Sequence, residues 1–410
     1  MGKNASYHAP AIDQRTGAEL PAALACSATQ LAALFQRRDW QQRGAQYLRA
    51  LLTSPAVRRN AEQLAAAVAG ATPRAFQRFL SEAPWDHCPI IDGLQAMLGP
   101  LLQSEQGRWV LKEIAFAKQG HHSVGVARQT SGVYGAPQNC QIGLFLGYAS
   151  PLAQAFVDMQ LYLPRTWTED AVRRYEAGVP DTVPYRSKAD LALGLLRRAR
   201  TRGQLTSQWV TGAGDCGQEA AFREALDAEG WWYLLKVPGT LPVFTEPTVS
   251  RKLPVLSVGN GRRHGPGLSL PCTPYPWKIR GLAACVPLAG WQHLAEDSAT
   301  RSAQSLQWIA LRVWDERERR PGREHWLLLH RDRDGGGSRY YLSNAPVTMP
   351  AETLVRMSSA GTTATTALDQ SQSVIGLNAY EVRSWQGWYH HMTLCLLASA
   401  FLVQLQHAKR

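Results

Sequence analysis

The stretch between residues 108 and 240 limits the fold more than any other part of the chain. RWVLKEIAF (108–116), NCQIGLFLGYA (139–149) and AFVDMQLYLP (155–164) are three consecutive apolar runs with strand-like lengths. Then the pattern changes. SKADLALGLLRRARTRG (187–203) has helical spacing and stops at Gly203, SQWVTGAG (207–214) reads as a strand, GQEAAFREALDAEG (217–230) as a helix and WWYLLKV (231–237) as a strand. Strands in succession followed by alternating helices and strands predict an α/β chain with a mixed sheet and helices on both faces. The first run holds an anomaly. Lys112 and Glu113 stand side by side where a buried strand should stay apolar.

The order of elements in 106–240, resumed by the helical residues 351–410, is that of a ribonuclease H-like core. Residues 1–105 read as a helical region. QLAALFQRRDWQQRGAQYLRALL (30–52) spaces its apolar residues helically, and RNAEQLAAAVAGATPRAFQRFL (59–80) divides at a turn containing Gly70. Thr72 can cap the second helix of that pair, with Pro73 at its first position. Helix, short glycine-containing turn, helix is the outline of a DNA-reading helix-turn-helix. Residues 37–80 hold eight Arg against two acids. Arg58, Arg59, Arg74, Gln77 and Arg78 are therefore candidate DNA contacts, as is Arg128 in the core.

Residues 241–350 are richer in Gly and Pro, and regular helix is not expected there. Three strand-like runs, LQWIALRVWD, REHWLLLHRD and RYYLSNAP, predict a β-rich insertion. Residues 247–294 contain no acid, and VGNGRRHGPG (258–267) is a basic loop suited to a phosphate backbone. Arg251, Lys252, Arg262 and Arg263 join the candidate DNA contacts. The mixed charges of DERERR (315–320) read as a solvated turn.

The formal net charge is +12 and the pI about 9.5, which favours a polyanionic partner, duplex DNA first. Seven scattered cysteines without a CxxC pair fit a reducing compartment and predict neither a disulfide framework nor a metal site. The longest apolar run, 392–405, is too short to span a bilayer. The expectation is a soluble, cytoplasmic, nucleoid-associated protein without membrane contact, working alone, as a homo-oligomer or with a partner protein.

Several stretches carry a resemblance: GHHSVGVARQTSG, NCQIGLFLGYASP, LYLPRTWTED, AGVP, WVTG, YLLKVPG, YYLSNAP and YEVRSWQGWYHHMTLCLLASAFL. From about residue 75 onward they resemble, in order, the DDE transposases of bacterial insertion sequences with a β-rich insertion in a ribonuclease H-like core. The resemblance implies three carboxylates that hold two Mg²⁺ ions for strand cleavage and transfer. Lys112 falls on the first carboxylate position, Ala213 on the second and Thr365 on the third. Thr362 and Thr363 replace the usual Trp and Arg before the third, and Gln372 replaces a supporting Lys.

The resemblance therefore implies a DNA-binding protein without cleavage activity and without a cofactor. The alternative is an active Mg²⁺-dependent nuclease with displaced acids, Glu113, Asp215 and Asp369, where Asp215 would share a strand face with residue 213. Lys112 is expected to face Asp215 or Glu113. A third chemistry would pair Cys216 with His121 or His122, against the simpler reading of Cys216 as a packed residue. His390 and His391 are assigned to the surface of the last helix, and Trp385 and Trp388 to the core.

Overall fold

The computed structural model describes residues 33–54, 59–131, 136–212, 214–247, 255–256, 268–269, 275–293, 306–332 and 337–408. Among the described residues four helices come first: α1 (Arg38–Thr53), α2 (Ala61–Ala66), α3 (Pro73–Ser81) and α4 (Cys88–Leu102). Strands β1 (Arg108–Ala117), β2 (Ala127–Gln129), β3 (Gln138–Ala149) and β4 (Gln154–Tyr162) follow. Next are α5 (Arg165–Thr168), α6 (Ala171–Glu176), α7 (Lys188–Arg202), β5 (Trp209–Gly212), α8 (Ala220–Ala228) and β6 (Trp232–Val237). The insertion contains β7 (Pro242–Phe244), β8 (Val255–Leu256), β9 (Leu268–Ser269), β10 (Trp277–Lys278), α9 (Ile279–Cys285) and β11 (Gln292–His293). It continues with β12 (Leu306–Arg317), β13 (Arg320–Asp332) and β14 (Ser338–Ser343). Helices α10 (Ala351–Ile375) and α11 (Trp385–Ala408) complete the chain. This is the ribonuclease H-like order: three successive long strands, then helices alternating with strands that pair in parallel.

The described residues form two compact units. One comprises 33–107, 113–206 and 366–408, the other 108–112 and 207–365, so β1 contributes to both. In the first unit, β3 has β1 on one side and an edge shared by β2 and β4 on the other. The β3–β4 pairing is antiparallel, from Ile142 opposite Tyr162 to Ala149 opposite Gln154. Local chemistry sets the helix ends. Thr72 accepts a hydrogen bond from the Ala75 amide at 3.2 Å, with Pro73 in the first turn. Ser187 and Asp190 form a reciprocal capping box on α7, which ends at left-handed Gly203, φ 67°. Helix α3 buries Phe76, Phe79 and Leu80 and turns its other face to solvent.

In the second unit, Trp109, Val110 and Leu111 of β1 pair in parallel with Val210, Thr211 and Gly212 of β5. Strand β5 pairs in parallel with β6, and an antiparallel series β14, β13, β12, β7 and β10 continues from it. The two-residue strands β8 and β9 pair separately. Along β12, Ile309, Leu311 and Val313 join one core with Ile279 and Leu282, while Trp308 and Ala310 join another with Leu354 and Val355. The period of two thus buries both faces of the strand, one under α9 and one under α10. Helix α9 corrects the expectation that 241–350 lacks regular helix. It is only two turns long, and its Gly281 and missing side-chain cap hide it from a propensity reading.

Candidate functional site

The ends of β1 and β5 meet helix α10 in the second unit. Leu111 is level with Gly212, so Lys112 stands one residue beyond the paired segment. The Arg108 guanidinium donates to the Met357 carbonyl at 3.3 Å. A Cβ on Gly361 would lie 3.9 Å from that of Thr211, the partner of Val110. Helix α10 therefore packs beside β1 and β5 in the stretch before Lys112 and Thr365, the residues that the resemblance assigns to the first and third carboxylate positions. Ala213, assigned to the second, lies outside the described residues.

The side chains at these positions do not suit Mg²⁺. Lys112 is half-buried rather than extended into bulk solvent. The Thr365 hydroxyl donates to the Gly361 carbonyl at 2.9 Å, and Thr362 and Thr363 turn back on their own helix in the same way. A hard divalent cation needs anionic oxygen, which an ammonium and back-bonded hydroxyls do not supply. Gln372 belongs to α10, but its side chain lies outside the described residues.

The alternative acids are dispersed in role. Glu113 is buried, and its carboxylate is 2.9 Å from the Lys188 ammonium at the start of α7. Asp215 is not on a strand. It lies in a 3-10 turn, Gly214–Gln218, opened by left-handed Gly214 at φ 52°, so the expected two-residue face relation to 213 is corrected. Asp369 is exposed, one helical turn beyond Thr365. Among the described residues the buried carboxylates are Glu113, Asp158 and Asp315. Each has a basic partner: Lys188 for Glu113, Arg198 and Arg202 for Asp158, Arg223 and Arg317 for Asp315.

Asp315 corrects the reading of DERERR as a solvated turn. The hairpin tip is at Glu318 and Arg319, both with positive φ, but Asp315 points inward and is 1% exposed. Its carboxylate accepts from the Arg323 amide at 2.7 Å and lies 2.8 Å from Arg317, 3.4 Å from Arg223 and 3.6 Å from His325. Burial pushes its pKa up, but His325 and Arg317 outweigh that and hold it well below the ordinary carboxylate value. Arg223 also donates to the Gly217 carbonyl at 2.9 Å, tying the insertion hairpin to the turn after β5. The alternation Ile309, Leu311, Val313, Asp315 was the signal for this residue, because it continues the buried face.

The candidate DNA contacts separate into groups. Arg74, Gln77 and Arg78 share the exposed face of α3, where Arg78 pairs with Glu82 at 3.1 Å, and Arg128 is exposed on β2. Arg59 turns inward instead. Its guanidinium donates to the Leu51 carbonyl and packs where a Cβ on Gly376 would collide with it. Burial lowers its pKa. Arg58, Arg251, Lys252, Arg262 and Arg263 lie outside the described residues. Cys216 is buried in the 3-10 turn, while His121 and His122 are exposed.

His390 and His391 are not surface residues. His390 stacks on Trp85 at 3.5 Å, with its ring nitrogens 2.8 Å from the Leu80 and Trp85 carbonyls. His391 lies 2.9 Å from the Tyr47 hydroxyl and 3.3 Å from the Cys395 thiol. Burial lowers their pKa values, to about 4 for His390 and about 3 for His391. They pin α11 to the N-terminal helices. Trp388 is fully buried, as expected of a core anchor, and Trp385 partly so.

Among the described residues, no helix is long and apolar enough to cross a membrane. No curated protein matches the sequence significantly. A family described as DDE superfamily endonuclease does match, over residues 30–307, which is more than half of the 410-residue chain and includes positions 112 and 213. With its strand order and the convergence of β1, β5 and α10, the chain belongs to the DDE superfamily endonucleases.

Proposed function

We propose that this protein is a transposase-like DNA-binding protein that has lost strand cleavage and transfer. One observation carries the reading: the resemblance assigns the first and third carboxylate positions to Lys112 and to Thr365, whose hydroxyl bonds back to its own helix. The sequence adds Ala213 at the remaining position. The net charge of +12 and the exposed basic face of α3 support retained affinity for duplex DNA, with α2 and α3 as a helix-turn-helix. Such a protein acts as a regulator, a targeting subunit or a competitor of an active relative. The displaced-acid alternative draws little support, since Glu113 is neutralised by Lys188 and Asp215 is off the strand. Titration of a labelled duplex with and without Mn²⁺ tests the proposal. The expected result is binding that weakens steeply with salt and no nicking at any metal concentration. Metal-dependent nicking, absent from an Asp215→Asn control, would establish the alternative.

A further inference from the structure

We propose that Asp86, His87 and Cys88 bind a divalent transition-metal ion of the zinc class, with one coordination position left to solvent. The three residues lie where the chain leaves α3 and enters α4, and one donor atom from each is within 4.8 Å of those from the other two. Asp86 Oδ1 is 3.7 Å from His87 Nδ1, and His87 Nε2 is 3.8 Å from Cys88 Sγ. Around a tetrahedral zinc with bonds of roughly 2.0 to 2.3 Å, neighbouring ligand atoms stand about 3.3 to 3.7 Å apart. Both observed separations are near that spacing. They use different ring nitrogens, so a single ion takes one of them and draws in the remaining donor by side-chain rotation.

The segment is braced before any ion arrives. Asp86 Oδ1 accepts the Cys88 amide at 2.9 Å, folding the backbone so that both side chains share one side of the turn. The His87 ring lies 4.5 Å from that of Tyr389. The preceding Trp85 is fixed by its indole bond to the Phe79 carbonyl and by its stack on His390. The nearby cations are balanced, because Arg198 and Arg202 are 3.2 and 2.6 Å from Asp158.

Thiolate and imidazole select zinc, cobalt or copper over Mg²⁺ and Ca²⁺, so this chemistry is separate from the carboxylate–Mg²⁺ chemistry of the family. The proposal departs from the expectation drawn from cysteine spacing, which predicts no metal site. A site built from three adjacent residues of different types contains no cysteine pair to announce it.

Cobalt is the probe that reads the site directly. Tag-free, reduced, chelator-stripped protein is titrated with Co²⁺ and followed by absorption. The expected result is a saturable thiolate-to-cobalt charge-transfer band in the near ultraviolet, displaced by Zn²⁺ and not by Mg²⁺. Cys88→Ser abolishes the band, His87→Gln weakens binding by about tenfold or more, and Cys285→Ser, the other exposed cysteine among the described residues, leaves it intact. Cys88 and His87 are not core residues, and circular dichroism of each variant confirms that the fold is retained. A protein that gives no band, a band that survives Cys88→Ser, or one lost with Cys285→Ser overturns the assignment.

Discussion

Two places in the second unit treat charge in opposite ways. Lys112 follows the segment of β1 that pairs with β5, and Thr365 on α10 bonds back to its own helix; the sequence resemblance assigns both to carboxylate positions. In the β12–β13 hairpin, Asp315 is an acid held almost completely out of water, and Arg223, Arg317 and the Arg323 amide converge on it. The contrast separates what the reaction needs from what the fold needs. Catalytic carboxylates repel one another unless a cation is bound, so a fold relieved of its chemistry gains by losing them. A buried carboxylate that balances a buried guanidinium cannot be lost so cheaply.

The sharpest way to break this comparison is Asp315→Ala. It leaves Arg223, whose side chain is 3% exposed, without its counter-charge, while Arg317 can still reach water. The expected loss is about 3 to 5 kcal/mol, read by urea denaturation. A loss below about 1 kcal/mol would mean that Asp315 is as dispensable as the missing site acids. Replacing Asp315 by Leu and Arg223 by Met together should recover most of the loss, since an apolar pair can substitute for a buried ion pair. The pH dependence has a defined sign. The folded pKa of Asp315 is depressed, so its contribution is complete above the unfolded value near 3.9 and drains away as pH falls through the folded value. Asp315→Asn should therefore flatten the acid limb of stability against pH and leave its alkaline side unchanged in slope.

The converse experiment restores the acids. Lys112→Asp, Ala213→Asp and Thr365→Glu in one chain should lower stability without metal and make it respond to Mn²⁺. Stabilisation of about 2.7 kcal/mol is expected when the ion is at a hundred times its Kd, with no shift in the parent protein. Thermal unfolding with and without Mn²⁺ decides it. A triple variant indifferent to Mn²⁺ would mean that the backbone does not bring these three positions together.

The same two regions mark the reach of the sequence. The strands from 108 to 164 were legible because each is a long apolar run, and α7 because Ser187 starts it and Gly203 stops it. Asp315 was hidden by its neighbours. Its five charged successors look like a turn, and the turn does lie there, but it begins three residues past Asp315, at Glu318 and Arg319. His390 and His391 were misassigned because α11 is buried along most of its length, and a helix without a polar face has no amphipathic period to place two histidines. Asp215 was misplaced by extending β5 through a segment that becomes a 3-10 turn. The packing of α10 beside β1, through Arg108 and Met357, joins residues more than two hundred positions apart, which no local pattern encodes.

The arginines of the first unit extend the comparison, since those of α3 point outward and Arg59 is tied inward. Arg74→Ala with Arg78→Ala should weaken duplex binding by about tenfold, or 1.4 kcal/mol, at moderate salt. The slope of log K against log salt should fall by about 2, one unit per lost phosphate contact. Arg59→Ala should leave that slope unchanged and lower stability instead, because its guanidinium serves the Leu51 carbonyl. Filter binding across salt concentrations separates the two. Equal slope changes in both variants would mean that the inward arginine also reaches DNA.

The smallest expected effect tests whether the basic face must be rigid. Thr72 caps α3 by accepting from the Ala75 amide, two residues before Arg74 and Gln77 emerge on the exposed side. Thr72→Ala leaves that amide without its partner and should cost about 1 kcal/mol, against a few tenths for Thr72→Gly, where water can reach the helix end. This cap is neutral and exposed, so its loss is expected to be a third or less of that at Asp315. The discriminating measurement is the salt slope of DNA binding in Thr72→Ala. An unchanged slope with slightly weaker binding means that the helix frays but keeps its phosphate contacts. A slope that falls although the number of charges is unchanged would mean that Arg74 and Arg78 reach DNA only when the first turn is fixed, and that the capping threonine is part of the recognition surface.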